Sequence, residues 1–434
     1  MKYIKEIILL ITLCIPSNLF AQEKLSLEQA IEIGLKNNYS IQISKNQSLI
    51  AANEVYPGNA GMLPQVNLNA AQNNSIVDSK QIFASGQEQN RKNAKSSSLI
   101  AGAALNWTLF DGMGMFATYE RLKQLSDMGE LNAKITIEGA VENIINTYYS
   151  VVLQKQMLRV ILQSMDISQE RIRISETKFQ IGVDSKLAFL QAKVDFNADK
   201  SAFMKQKTTM ENGEISLNEL LGRDPNVKFD VTDSILISYH PSIDDLKKNL
   251  QQNVSLQQAD KSILISKLGM KEILAQQYPR IGLNAGYNFS QSQSQSGFQL
   301  SNQTIGPYVG FTATMNLFNG FQLDRTYKSS QLSFQNSKLN YSMVKNQLDA
   351  SVSKAYNDFN NKMDLLDLEK ENLKVAQENI DAVMERYRLG NISALDVKAA
   401  QLSFSEANNR LVTALYDAKT AETTLMRLSG NLVK

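Results

Sequence analysis

The chain has 434 residues, with 45 Lys and Arg against 43 Asp and Glu, one His and one Cys. So even a balance, with no long run of either sign, excludes the concentrated basic face by which proteins hold nucleic acid. Beyond residue 21 no uncharged apolar stretch reaches the roughly 18 residues a membrane helix needs, so a membrane role requires another route.

Lys2 and Lys5 precede an apolar run from Ile7 to Ile15, and Ala21 offers a small residue before Gln22. This is the pattern of a secretory signal peptide over 1–21. The only cysteine, Cys14, falls inside it behind Leu13, where a lipoprotein signal would place a small residue. The exported chain would then hold no cysteine, and no disulfide could brace it.

From residue 22 to 222 the chain reads as helix, strand, polar loop, strand, very long helix, turn and returning helix. Val66, Leu68 and Ala70 alternate with Gln65, Asn67 and Asn69. Ala101, Ala103, Leu105, Trp107 and Leu109 alternate with Gly102, Ala104, Asn106 and Thr108. Uncharged alternation over about ten residues suits a tilted transmembrane strand, apolar to lipid and polar to a lumen. It also suits a half-buried sheet in a soluble domain. Phe110-Asp111-Gly112 then joins an interfacial aromatic to a strand break.

No proline occurs from Met113 to Ile181. Roughly 68 residues at 1.5 Å each make a helix of about 100 Å if straight. Ile144, Tyr148, Val151 and Leu158 keep a heptad frame that Lys155 interrupts. Gly182 is placed to cap this helix in a left-handed conformation, and Ser185 to start the returning one. The result is a helical hairpin whose tip, Gly182-Val183-Asp184-Ser185, is expected far from the strands.

A linker over 223–239 leads to a second half, 240–434, with the same order of elements. Ile281, Leu283, Ala285, Tyr287 and Phe289 form one apolar face, and Val309, Phe311, Ala313, Met315 and Leu317 the other. A Ser- and Gln-rich loop over 289–304 joins them, and Phe318-Asn319-Gly320 ends the pair. Val352, Tyr356, Phe359, Met363 and Leu366 step by 4, 3, 4 and 3, a coiled-coil seam. The second tip is Gly390-Asn391-Ile392-Ser393.

The likeness is an internal duplication. Residues 102–222 align with 310–430 without a gap, with 22 identities in 121 positions. Chance would give roughly seven. Gly112 matches Gly320, Tyr148 matches Tyr356, Gly182 matches Gly390, and Gly222 matches Gly430. Asn38, Pro64 and Leu68 match Asn253, Pro279 and Leu283 at an offset seven residues greater, which places a length difference between Ser75 and Gly102. Four transmembrane strands would leave two open edges, intolerable in lipid, so further copies of the chain must complete the sheet.

Both halves resemble the TolC-like outer membrane efflux protein family, over essentially the whole mature chain. The segments that carry this are Arg386-Tyr387-Arg388-Leu389-Gly390, Leu395-Asp396-Val397, Ala400-Gln401, Leu63-Pro64-Gln65-Val66 and Tyr278-Pro279-Arg280-Ile281. First-copy counterparts are Lys178-Phe179-Gln180-Ile181-Gly182, Leu187 and Ala192. The resemblance implies an α+β membrane protein with four transmembrane β-strands and long periplasmic helical hairpins per chain. It implies a homotrimer forming one β-barrel in the outer membrane and an α-helical tunnel in the periplasm. Partners would be outer-membrane lipid, a periplasmic adaptor (membrane fusion) protein at the tips, and an inner-membrane pump of RND or ABC type. Asp396 and Tyr387 match family positions at a periplasmic constriction. Two departures stand out: Ile392 replaces an arginine of the family's type member, and Ala188 replaces an aspartate.

Catalytic chemistry is poorly provided for. A single His240, before Pro241, and no mature Cys exclude zinc sites of the usual nitrogen–sulfur kind. No G-x-S-x-G elbow occurs, and Gly112 and Gly114 lack the rest of a dinucleotide fingerprint. No cofactor is expected. The rival from another class is a structural periplasmic coiled-coil protein without channel activity, which accounts for the helices but not for the paired strands.

Overall fold

In a computed structural model of the chain, residues 23–296 and 299–432 are described. The signal peptide expected over 1–21 lies outside them. The first half comprises β1 (Glu23–Leu25), α1 (Leu27–Asn37), α2 (Tyr39–Asn53), β2 (Gln65–Ile82), β3 (Glu88–Phe110), α3 (Gly114–Gln180) and α4 (Lys186–Leu221). After it come β4 (Phe229–Val231), α5 (Ile243–Lys248), a short 3-10 turn, α6 (Val254–Ala275), β5 (Arg280–Ser294), β6 (Ser301–Thr314), α7 (Gln322–Arg388) and α8 (Ala394–Leu428). They form two compact units, and each unit draws on both copies of the duplication.

One unit, Lys45–Ala133 with Val254–Asn346, holds an antiparallel sheet in the order β2-β3-β5-β6. The outer edges of β2 and β6 have no strand partner among the described residues. Alternation survives intact: Val66, Leu68, Val309 and Phe311 all present exposed apolar side chains on a face the chain does not cover. Strand boundaries differ from the expected ten residues. β2 and β3 run to 18 and 23 residues, and β6 stops at Thr314, leaving Met315 and Leu317 exposed beyond it. The extra length was hidden because side-chain alternation gives way to an uncharged polar belt, with rows Asn73–Ser98–Ser292–Asn302 and Asn74–Ser97–Gln293–Ser301. Backbone pairing continues there without apolar patterning.

Both copies leave the sheet by two successive left-handed residues, Gly112-Met113 and Gly320-Phe321. At Gly112 a Cβ would come within 2.3 Å of the Ala275 carbonyl oxygen, so close approach as well as φ demands glycine.

The other unit packs a core of Leu25, Ile144, Tyr148, Val151, Leu217 and Phe229. The Tyr148 hydroxyl, fully buried, donates to the Leu25 carbonyl at 2.9 Å. The segment expected as a linker supplies β4, which pairs in parallel with β1 and buries Phe229 and Val231. Lys155 breaks the heptad frame because it has another task. Its ammonium donates to Asp230 at 2.5 Å and the Val231 carbonyl at 2.9 Å, and pairs with Asp233 at 2.7 Å, so it pins β4 to α3. On α7 the seam residues Val352, Phe359 and Leu366 are buried as the 4–3 spacing requires.

Candidate functional site

The two tips are built by the same local chemistry. Gly182 adopts φ +76° and donates to the Phe179 carbonyl, while Val183 donates to Lys178. Gly390, at φ +82°, donates to Tyr387, and Asn391 to Arg386. Each is a complete Schellman closure, which satisfies carbonyls the helix end leaves orphaned. Ser185 and Ser393 then cap α4 and α8, their hydroxyls accepting from the amides of Ala188 and Asp396. Both expected caps are present at both tips.

Behind the turns the side chains diverge. Tyr387 is 1% exposed, its ring packed with Ile174, Val397 and Ile392. Its hydroxyl lies 2.9 Å from the Ser175 hydroxyl, and Lys178 sits over the ring at 4.0 Å while donating to the Tyr387 carbonyl at 2.6 Å. In this conformation Tyr387 is covered by its own chain. Ile392 completes this apolar cluster, which is held by dispersion and burial.

A buried polar network lies deeper. Arg171, 2% exposed, donates to Asp195 at 3.0 Å and to Gln401 at 3.2 Å. Lys398 of α8 donates to Asp195 at 2.7 Å. Gln401 donates in turn to Ser164 and Ser168, and Ser168 donates to Asp199. A cavity of about 260 Å³ lies among these groups, and the Arg171 Nε faces no hydrogen-bond partner among the described residues. Burial would push the Asp195 carboxyl up, yet hydrogen bonds from Lys398, Arg171 and Gln191 outweigh it and hold it below the usual range. The network ties α3 and α4 of one hairpin to α8 of the other. Arg171, Ser175 and Asp195 were not singled out from the sequence. The signal was there: Ser164, Ser168, Arg171 and Ser175 recur at 4, 3 and 4, a polar stripe at core-facing spacing.

Asp396 is exposed, and its carboxylate accepts from the Ser393 amide at 3.0 Å and hydroxyl at 2.8 Å, completing a capping box. These two bonds lower its pKa. It therefore has a local structural role, and its charge remains presented to solvent. On the sheet, the face opposite the apolar one carries Asn67, Asn69, Asn106, Asn284 and Asn288, a neutral amide lining by alternation. Among the described residues no helix is long and apolar enough to cross a membrane, and no group of three His, Cys, Asp or Glu could hold a metal.

The sequence signature of the outer membrane efflux protein family matches residues 30–223 and, a second time, residues 246–431. The chain belongs to this family. The two matches also reproduce the duplication. Among relatives, outer membrane protein TolC of Vibrio cholerae is 18% identical over 378 residues, covering 86% of this chain and 83% of that protein. Among solved structures, the Campylobacter jejuni CmeC outer membrane channel superposes with a TM-score of 0.76 at 15% identity, covering 94% of this chain and 86% of that one. Vibrio cholerae VceC does so with 0.74 at 15% identity over 93% and 96%. The TolC-like α+β fold and an outer-membrane efflux role follow, and members of the family are channels rather than enzymes.

Proposed function

We propose that the chain is one subunit of a homotrimeric exit duct for a tripartite efflux or type I secretion system. The observation that carries this is the sheet: four antiparallel strands, two unpaired edges, one uncovered apolar face and one neutral polar face. β2 and β6 run antiparallel to one another by the sheet order, so β6 of one copy can pair with β2 of the next and close a barrel without reversing a strand.

The helical hairpins then form the periplasmic tunnel, and their tips meet the adaptor that links the duct to an inner-membrane pump. Gly182, Val183, Asp184, Ser185, Gly390, Asn391, Ile392 and Ser393 are the docking turns. Val183 within them and Leu187, Leu389 and Leu395 beside them are exposed apolar residues of the kind that an interface core covers. Asp396, once per subunit, is the candidate for an acidic constriction. Tyr387 contributes as part of the closed tie to Ser175 and reaches a lumen only when that tie opens. The Arg171–Asp195–Lys398 network supports the same reading of a latch between hairpins. Mass measurement of the detergent-solubilised complex is the test. Three chains are expected, and a monodisperse monomer would overturn the proposal.

A further inference from the structure

β2 and β3 continue after the rest of the sheet has ended. The β3–β5 ladder stops at Ser96 and Ser294, and the β5–β6 ladder at Gln293 and Ser301. From Val77 and Ala94 out to Ile82 and Glu88, β2 and β3 form a two-stranded ribbon with no further strand on either side. The seven additional residues of the first copy fall in this region, and among the described residues the second copy has no such ribbon. It begins above the uncharged polar belt, beyond the rows that carry the apolar face.

An isolated ribbon is marginal in water, and open edges invite unwanted pairing. This one is held by internal polar contacts. Asn93, at φ 54°, donates its amide to Asp78 at 2.7 Å beside a bulge at Val77 and Ser79, and Lys80 pairs with Glu88 at 2.6 Å. Those contacts engage both acids of the segment. Arg91, Lys92 and Lys95 are exposed and face no carboxylate among the described residues. By ladder alternation Ile76 and Lys95 lie on the face that carries Val66 and Leu68 lower down. Ile76 and Ile82 are exposed there at 64% and 67%. Isolated aliphatic groups among unneutralised cations are the chemistry of a surface resting on anionic headgroups. The bulge supplies the local bend such a ribbon needs to lean over.

We infer that the Ile76–Lys95 ribbon docks on anionic, phosphate-bearing lipid headgroups of the outer leaflet around the barrel. This rests on the barrel reading above. Salt-bridge geometry inside the ribbon leaves Lys92 and Lys95 to take the phosphates, while Lys80 stays paired to Glu88 and Arg91, opposite Ser79, lies on the other face.

The test uses the full-length complex in phosphatidylcholine vesicles with and without phosphatidylglycerol, reading amide hydrogen exchange over 76–95. Exchange should slow by about tenfold or more in the anionic vesicles. High salt should abolish the slowing, as should the double variant Lys92→Gln, Lys95→Gln. Equal exchange in both vesicles overturns the proposal, and so does equal protection in detergent, which would mean that ribbons pack on neighbouring copies. Protection by inorganic phosphate on phosphatidylcholine vesicles would also overturn it, since lipid would not be required. Complex mass and protection of the lower sheet are read in the same samples. If those hold while the ribbon stays unprotected, only the docking fails.

Discussion

Asn38 and Asn253 occupy equivalent places in the two copies and perform one task. Asn38 donates its side-chain amide to the Leu220 carbonyl at 2.8 Å, and Asn253 donates to Leu428 at 3.1 Å. The closing glycines, Gly182 with Gly390 and Gly222 with Gly430, likewise share left-handed φ values. Behind the tips the copies still share Ile172 with Ile380 and Ala192 with Ala400, but not the polar residues of the network. Arg171 corresponds to Asn379, Ser175 to Val383, and Gln401 to Lys193. The difference has a physical source. A helix end closes on its own copy, so the same residue serves twice. Where the copies meet, a cation such as Arg171 must face an acceptor and not a second cation, so the charged positions cannot be the same in both copies. Duplication therefore preserves caps and separates contact faces.

The largest effect should come from the separated face. Arg171→Leu removes a buried cation and leaves Asp195 with fewer partners, costing about 3 kcal/mol. Thermal unfolding should shift down and single-channel conductance should rise as the hairpins part. Unchanged conductance would remove Arg171 from the latch. Protonation probes the same contact without mutation. The Asp195 pKa is depressed in the folded chain, so its stabilisation is complete above the ordinary aspartate value of about 3.9. That stabilisation is lost as pH falls through the lower folded value. Hydrogen exchange over 164–178 should accelerate below about pH 4 in the wild type, and much less in Arg171→Leu.

The shared features should respond in pairs. Asn38→Ala and Asn253→Ala each leave a helix-end carbonyl without its donor, at about 2 kcal/mol by denaturant titration. Markedly unequal losses would break the equivalence of the copies. Gly182→Val and Gly390→Val each force a side chain into the left-handed region, at roughly 1–2 kcal/mol. A Cβ at either glycine meets nothing within 4 Å, so the penalty is purely conformational. Adaptor crosslinking should drop in both variants while the barrel still assembles. Wild-type crosslinking in both would place docking elsewhere.

What could be read from the sequence divides along the same line. Caps, seams and strand alternation are local patterns, and Gly182, Ser185, Val352 and Leu68 announced them. β4 is only three residues long and pairs with β1 some two hundred positions away, so no local period marked it. The ribbon was hidden because the Ser, Asn and Gln belt below it carries no alternation, and a bulge breaks the period of its own charged and aliphatic residues. The Arg171 network needed knowledge of which side of α3 turns towards α8, and that is decided by packing between copies.

Asp396 gives the finest test, because structure and charge can be separated there. Its carboxylate closes the capping box on Ser393, and the side-chain amide of asparagine keeps an oxygen in reach of the same amide and hydroxyl. Asp396→Asn should therefore leave the fold and the tip intact while removing one negative charge per subunit. The first copy provides the control, since the equivalent position is Ala188, which holds no charge. If the trimer gathers three Asp396 carboxylates around a narrow mouth, their mutual field attracts cations. Cation preference in planar bilayers should then fall in Asp396→Asn, and block by multivalent cations should weaken severalfold. Ala188→Asp should strengthen block only if the first tip also faces the opening. Unchanged selectivity in Asp396→Asn, with an unaltered melting profile, would leave Asp396 as a helix cap alone and remove the acidic ring from the constriction.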